Sequence, residues 1–128
     1  MKRINQLMLF AFLVFSLVSC DDDDVTVASI IGSWEFVSST TDGVLDPAED
    51  CPFEITFDAN TVSVKEFYGD NCEDIDTYSF DYSIDGNEIT SFQDGQNYTS
   101  RIVTLSETTL IIENIDEDEV FVETYRRL

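Results

Sequence analysis

The chain has 128 residues, of which 27 are acidic, six are basic and none is histidine, giving a formal net charge of −21 at pH 7. A surface this negative repels nucleic acid and anionic lipid, so neither is an expected partner. Without histidine there is no Ser/His or Cys/His pair for nucleophilic catalysis, and no carboxylate spacing singles out an acid/base pair for glycoside chemistry. We therefore expect a single non-enzymatic domain that uses no cofactor.

The N-terminus predicts an export signal. A positively charged start precedes an apolar run of twelve residues from Leu7 to Val18, as in secretory signal peptides. As a helix this run spans about 18 Å, too short for a hydrocarbon core of about 30 Å. The residues LVS directly before Cys20 resemble the lipobox of bacterial lipoproteins, whose cysteine is lipidated and becomes the mature N-terminus. We predict that residues 1–19 are the signal and that Cys20 is lipidated; simple cleavage and an uncleaved anchor are the alternatives.

Residues 20–29 predict a tether between that cysteine and a folded domain. The four aspartates from Asp21 to Asp24 repel one another and stay hydrated, so we expect an extended linker. Surface-exposed lipoproteins of Bacteroidetes-type bacteria often carry acidic residues soon after the lipidated cysteine, and this stretch is similar to them. Membrane attachment would come from acyl chains on Cys20. We predict a protein anchored to the outer membrane of a bacterial cell envelope, with surface exposure as the further expectation.

Cys51 and Cys72 remain once Cys20 is assigned to lipidation. In an oxidising compartment an even pair of cysteines indicates a disulfide. Metal binding through two thiols in a chain without histidine is the weaker alternative. A bridge closing a loop of about 20 residues would contribute about 3 kcal/mol in the chain-entropy model.

Residues 30–128 predict one all-β domain. Segments such as FEITF and TYSFDYSI alternate apolar and polar residues with period two, as strands with one buried face do. Gly, Asn and Asp stand between such segments and tolerate the positive φ of tight hairpins. The eight predicted strands cover residues 31–39, 53–57, 61–67, 77–84, 88–92, 98–105, 109–113 and 120–126. This spacing indicates a meander that closes into a barrel or a sandwich.

The opening IIGSWEFVSS, with Gly32 and Trp34, looks like the Gly-x-Trp start of lipocalin-like domains. The order of the segments that follow, FEITFDAN, TYSFDYSIDGNEIT, VTLSETTLIIE and VFVETYRRL, is similar to the lipocalin-like lipoprotein domains common in Bacteroidetes. The resemblance covers residues 30–128 and implies an up-and-down antiparallel barrel of about eight strands, with a disulfide between Cys51 and Cys72 and no settled biochemical role. It also implies that Gly32 and Trp34 are structural, because a first-strand tryptophan packs at the closed end of lipocalin-type barrels.

Two functions stay open at this point. Eight strands enclose room either for their own side chains or for one small ligand. A hollow barrel would bind a small hydrophobic molecule, and Tyr78, Tyr82 and Tyr98 are candidate contacts because aromatic walls with a few polar tips suit such ligands. A filled barrel would be a non-catalytic structural or protein-interaction module that meets an envelope protein through its loops.

The acidic loops raise the question of calcium. Carboxylates crowd residues 70–76 and 116–119, and calcium takes six to eight oxygen ligands in most protein sites. Neither loop has the central glycine and terminal glutamate of the twelve-residue calcium loop. We therefore predict solvated loops and no metal site, with calcium binding by these loops as the alternative.

Overall fold

The computed structural model describes residues 30–128. The predicted signal, the lipidated Cys20 and the linker lie outside the described residues. The described part contains nine strands: β1 (Gly32–Thr41), β2 (Val44–Leu45), β3 (Phe53–Phe57), β4 (Thr61–Tyr68), β5 (Asp74–Asp85), β6 (Glu88–Gln93), β7 (Gln96–Leu105), β8 (Thr109–Asp116) and β9 (Glu119–Arg127). All eight predicted strands are confirmed to within three residues at each end, and the two-residue β2 is an addition.

The strands form one closed antiparallel barrel. Each of the long strands pairs with its neighbour in chain order, and β1 also pairs with β9, which joins the two edges of the sheet. The short β2 folds back on the end of β1 and lies outside this cycle of eight. The all-β, up-and-down antiparallel barrel is thus confirmed, and the sandwich alternative was wrong.

Tight hairpins make this simple path possible. The turn between β6 and β7 consists of Asp94 and Gly95, whose φ angles are 51° and 80°. Two-residue hairpin turns that follow the twist of the strands need positive φ at both central positions, which Asp and Gly adopt more easily than other residue pairs. Strands joined in this way run alternately up and down, so all the turns lie at the two ends of the barrel.

The core lies at the end of the barrel where β1 begins, which we call the closed end. Trp34 is fully buried there, and its indole Nε1 donates a hydrogen bond to the carbonyl oxygen of Ile30 over 2.9 Å. The guanidinium of Arg127 lies 4.1 Å from the centre of the indole ring. The buried core residues are Ile30, Trp34, Ile55, Phe57, Val62, Val64, Tyr82, Ile89, Leu110, Ile112 and Tyr125.

The predicted disulfide is confirmed at the opposite, open end. Cys51 and Cys72 are bonded, with their Cα atoms 5.5 Å apart. Cys51 precedes β3 and Cys72 lies in the loop between β4 and β5. The bridge therefore ties the connection into β3 to this loop, and the metal-binding alternative for the two thiols was wrong.

Candidate ligand-binding site

The open half of the barrel contains a cavity of about 560 Å³. Its lining side chains come from β3 to β9 and alternate along each strand, as expected of residues that face the barrel interior. Ligand pockets for small molecules typically measure about 300–1,000 Å³. The barrel is therefore filled by side chains at its closed end and hollow toward its open end.

The floor of the cavity is apolar. We call the part of the lining nearest the closed end the floor, and several of its side chains also belong to the buried core. Only hydrocarbon and aromatic groups are presented there, so the floor suits an apolar part of a ligand. The floor residues are Ile55, Phe57, Val62, Val64, Phe80, Ile89 and Ile112.

Two of the three tyrosines predicted to contact a ligand lie at the rim of the cavity. Tyr78 and Tyr98 both line it and are 45% and 50% exposed. The Tyr78 hydroxyl donates a hydrogen bond to Oε1 of Glu66 over 3.0 Å, and the Tyr98 hydroxyl donates to Oε1 of Gln96 over 3.1 Å. Burial and the hydrogen bond to Glu66 raise the pKa of Tyr78, so its hydroxyl stays protonated at neutral pH. These two rings form an entrance with apolar faces and polar tips.

The structure places Tyr82 elsewhere. It is four residues further toward the closed end of β5 than Tyr78, and it packs edge-on against Phe57 with the ring centroids 5.2 Å apart. Its hydroxyl donates a hydrogen bond to the carbonyl oxygen of Asp58. Tyr82 is buried and does not line the cavity.

A polar network, which the sequence analysis did not identify, crosses one wall of the cavity. Oε2 of Glu123 accepts hydrogen bonds from the Tyr125 hydroxyl over 3.1 Å and from Nδ2 of Asn114 over 3.3 Å. The hydroxyl of Ser100 in turn donates to Oδ1 of Asn114. We call these four residues of β7, β8 and β9 the polar wall. The alternation of Phe121, Glu123 and Tyr125 along β9 was the sequence signal that Glu123 faces inward.

Burial sets the acid–base state of this wall. Burial raises the pKa of Glu123, while the hydrogen bonds from Tyr125 and Asn114 offset part of that rise. Burial also raises the pKa of Tyr125, and the neighbouring Glu123 carboxylate raises it further. The Tyr125 hydroxyl is therefore a hydrogen-bond donor throughout the physiological range, and Glu123 is the acceptor.

Replacing Glu123 with glutamine should stabilise the domain at neutral pH. The pKa of Glu123 is raised above its ordinary value of 4.5, so between the two values the folded state holds a proton that the unfolded state has released. The stability contributed by this group is therefore fully present below about pH 4.5 and is lost as pH rises through the folded pKa. Glutamine does not ionise and can accept the same two hydrogen bonds.

The measurement is urea denaturation of the wild type and of Glu123→Gln between pH 4 and pH 8. The variant should gain stability relative to the wild type as pH rises, and both proteins keep every other carboxyl group. A constant difference in stability across this range would contradict a raised pKa for the partly buried Glu123 carboxyl group.

From residue 30 onward, no group of three or more His, Cys, Asp or Glu side chains is placed to hold a metal ion. The same residues contain no helix that is long and apolar enough to cross a membrane.

Known structures with the same fold support the barrel assignment. A lipocalin-like protein from Bacteroides uniformis superimposes with a TM-score of 0.63 at 17% identity, covering 78% of this chain and 99% of that protein. Bovine odorant-binding protein gives a TM-score of 0.51 in two complexes. The complex with undecanal is 16% identical and covers 84% of this chain and 77% of the bovine one. The complex with a selenium-containing odorant is 15% identical and covers 87% and 78%.

The sequence comparison gives the family. No curated protein matches the chain. A family model described as the lipocalin-like domain matches residues 30–112, from the short segment before β1 into β8. This range spans more than half of the chain and includes Gly32, Trp34 and both bridged cysteines. The chain therefore belongs to the lipocalin-like domain family.

Proposed function

We propose that this protein binds a small hydrophobic molecule in the open half of its barrel, as a lipid-anchored protein of the bacterial cell envelope. The observation that carries the binding proposal is the cavity of about 560 Å³ with its apolar floor. No step of catalysis is part of the proposal. The cavity also counts against the alternative of a filled barrel that acts only as an interaction module.

The distribution of groups around the cavity fits an elongated ligand with one polar end. Each methylene group transferred from water to the floor would contribute about 0.8 kcal/mol. The polar wall and the rim supply hydrogen-bonding groups at one side and at the entrance. Such a ligand would lie with its tail on the floor and its polar end toward the wall or the open end. Undecanal, which the bovine odorant-binding protein holds in its complex, has this form and is a suitable first probe.

Filling the cavity with a side chain should abolish binding. Ser91 lies on β6, is partly buried and lines the cavity, so Ser91→Trp would place an indole in the space for the ligand. Ser83 on β5 is exposed and lies next to the inward-facing Tyr82, so Ser83→Trp makes the same chemical change on the outer surface. We expect undecanal and 1-undecanol to bind the wild type and Ser83→Trp, but not Ser91→Trp.

The measurement is calorimetric titration together with a thermal melt of residues 21–128 with the disulfide intact. At a hundredfold excess over the dissociation constant, a ligand specific for the folded state adds about 2.7 kcal/mol of stability. Equal binding by the two tryptophan variants would place the ligand outside the barrel. Failure of both compounds and of further lipophilic classes to bind the wild type would remove the proposed function.

The anchoring part of the proposal is supported by the sequence LVSC ending at Cys20 and by the aspartates that follow it. Expressed in a bacterium with lipoprotein processing, the full chain should incorporate labelled fatty acid and sediment with outer membranes. Cys20→Ala should lose both properties and remain in the soluble fraction, whereas the wild-type protein should be absent from that fraction. Sedimentation of Cys20→Ala with membranes at the wild-type level would contradict lipid anchoring and leave the binding proposal unaffected.

A further inference from the structure

The charged side chains that line the cavity are all carboxylates. Glu66 lies at the rim, where it accepts a hydrogen bond from Tyr78, and Glu123 lies deeper, on the polar wall. The remaining polar side chains of the lining are neutral serine, glutamine, asparagine and tyrosine groups. The electrostatic potential inside the cavity is therefore negative.

The four basic side chains of the described chain lie elsewhere. Arg101 pairs with Glu113 over 2.7 Å and Arg126 pairs with Glu35, in both cases with the arginine largely exposed. The Lys65 ammonium lies 5.1 Å from the ring centre of Phe67. Arg127 lies on Trp34 at the closed end, as described above. None of the four lines the cavity, so the described residues provide no cation to pair with a ligand carboxylate.

One oxygen of Glu123 is available to a ligand. Both hydrogen bonds to this carboxylate go to Oε2, and no described residue donates to Oε1. In the described part of the chain, no fully buried side-chain oxygen or nitrogen lacks a hydrogen-bond partner. Oε1 must therefore be in contact with accessible space, and Glu123 borders both the cavity and an adjoining hollow that is lined by Ser39 and Phe121.

Binding of a carboxylate ligand at the polar wall would place a further negative charge close to the partly buried Glu123. The two negative charges would repel each other more strongly than in water, because a partly buried position is screened less by solvent. A positively charged ligand group would meet the opposite situation, since hydrogen bonds between charged partners are roughly twice as strong as neutral ones. Glu123 is also held in place by Tyr125 and Asn114, so little ordering is required when a ligand binds.

We propose that the cavity selects molecules with an apolar tail and a protonated amine, and that Oε1 of Glu123 accepts the hydrogen bond from the ammonium group. This inference rests on the proposed binding function and specifies its ligand class. The tail lies on the floor, and the amine lies against the polar wall. Fatty acids of the same length are disfavoured by the same carboxylates.

The test compares three compounds that each contain eleven carbon atoms: undecylamine, 1-undecanol and undecanoate. Calorimetric titration at pH 7, below the concentrations at which these compounds form micelles, should rank the amine first and the acid last. We expect the amine to bind roughly tenfold or more tightly than the acid. In Glu123→Gln this ratio of affinities should fall severalfold, because the charged acceptor is lost.

Two controls separate the cavity from the general negative charge of the surface. Glu88 on β6 is exposed and lies next to the inward-facing Ile89, so Glu88→Gln removes one charge from the outside and should keep the amine preference. Ser91→Trp should abolish amine binding. If undecylamine binds Ser91→Trp as tightly as the wild type, the amine binds at the surface and the inference is wrong.

The outcomes distinguish this inference from the function on which it rests. Equal affinities for the three compounds, or a preference for undecanoate, would overturn the amine selectivity and leave a general hydrophobic binder. An amine preference that Glu88→Gln and Glu123→Gln reduce equally would also overturn it, because the surface charge would then be the cause. Failure of all three compounds to bind would remove the proposed function together with the inference.

Discussion

Replacing Trp34 with alanine should lower the free energy of unfolding by about 3–5 kcal/mol, the largest effect that we expect from a single substitution. The side chain is 0% exposed and is among the largest fully buried side chains of the domain. Its removal leaves a cavity, takes away the hydrogen bond to the Ile30 carbonyl oxygen and removes the surface on which Arg127 lies. Single domains have a total stability of about 5–15 kcal/mol, so this loss is a large share.

Urea denaturation followed by far-ultraviolet circular dichroism would measure the effect, because the chain has one tryptophan and the variant loses its fluorescence signal. Trp34→Phe keeps most of the apolar volume but leaves the Ile30 carbonyl oxygen without its partner, at a cost of about 1–3 kcal/mol. This variant keeps the prediction testable if Trp34→Ala does not fold. Val37, which is 52% exposed, provides the control: Val37→Ala should stay within about 0.5 kcal/mol of the wild type. An equal effect of Trp34→Ala and Val37→Ala would contradict a core role for the tryptophan.

The strands could be predicted because one face of each is buried. Period-two alternation in segments such as FEITF, together with turn residues such as Asp94-Gly95 between the segments, located the eight long strands. The strand β2 was missed because two exposed residues, Val44 and Leu45, carry no alternation. The start of β5 was missed because Asp74, Ile75 and Asp76 are all exposed and two of them are acidic. Pairing with β4, and not intrinsic preference, holds them in the sheet.

The cavity could be predicted only in part because alternation gives the face of a residue but not its depth. Tyr78 and Tyr82 point to the same side of β5, yet one is at the rim and the other is in the core. Depth depends on the register of neighbouring strands around the closed barrel. A second limit is the bulge in β1 between Phe36 and Ser38, which brings Ser39 opposite Glu123. A bulge shifts which residues face inward, and no residue pattern in that stretch announced it.

Removing the disulfide by the double substitution Cys51→Ser and Cys72→Ser should lower the free energy of unfolding by about 3 kcal/mol. The bonded cysteines are 21 residues apart, so the bond restricts the unfolded chain over a loop of that length. Both cysteines lie in connections and not in strands, and the closed-end core does not include them. The double variant should therefore fold to the same barrel with lower stability.

Urea denaturation with and without a thiol reductant separates the bond from the substitutions. The wild type should lose about 3 kcal/mol when reductant is added, whereas the double serine variant should be insensitive to it. Cys51 comes two residues before Phe53, which lines the cavity, so reduction should weaken ligand binding if the bridge also positions this edge of the rim. Loss of stability without loss of affinity would show that the barrel strands alone hold the cavity open. Reductant-insensitive unfolding of the wild type would contradict the stabilising role of the bond.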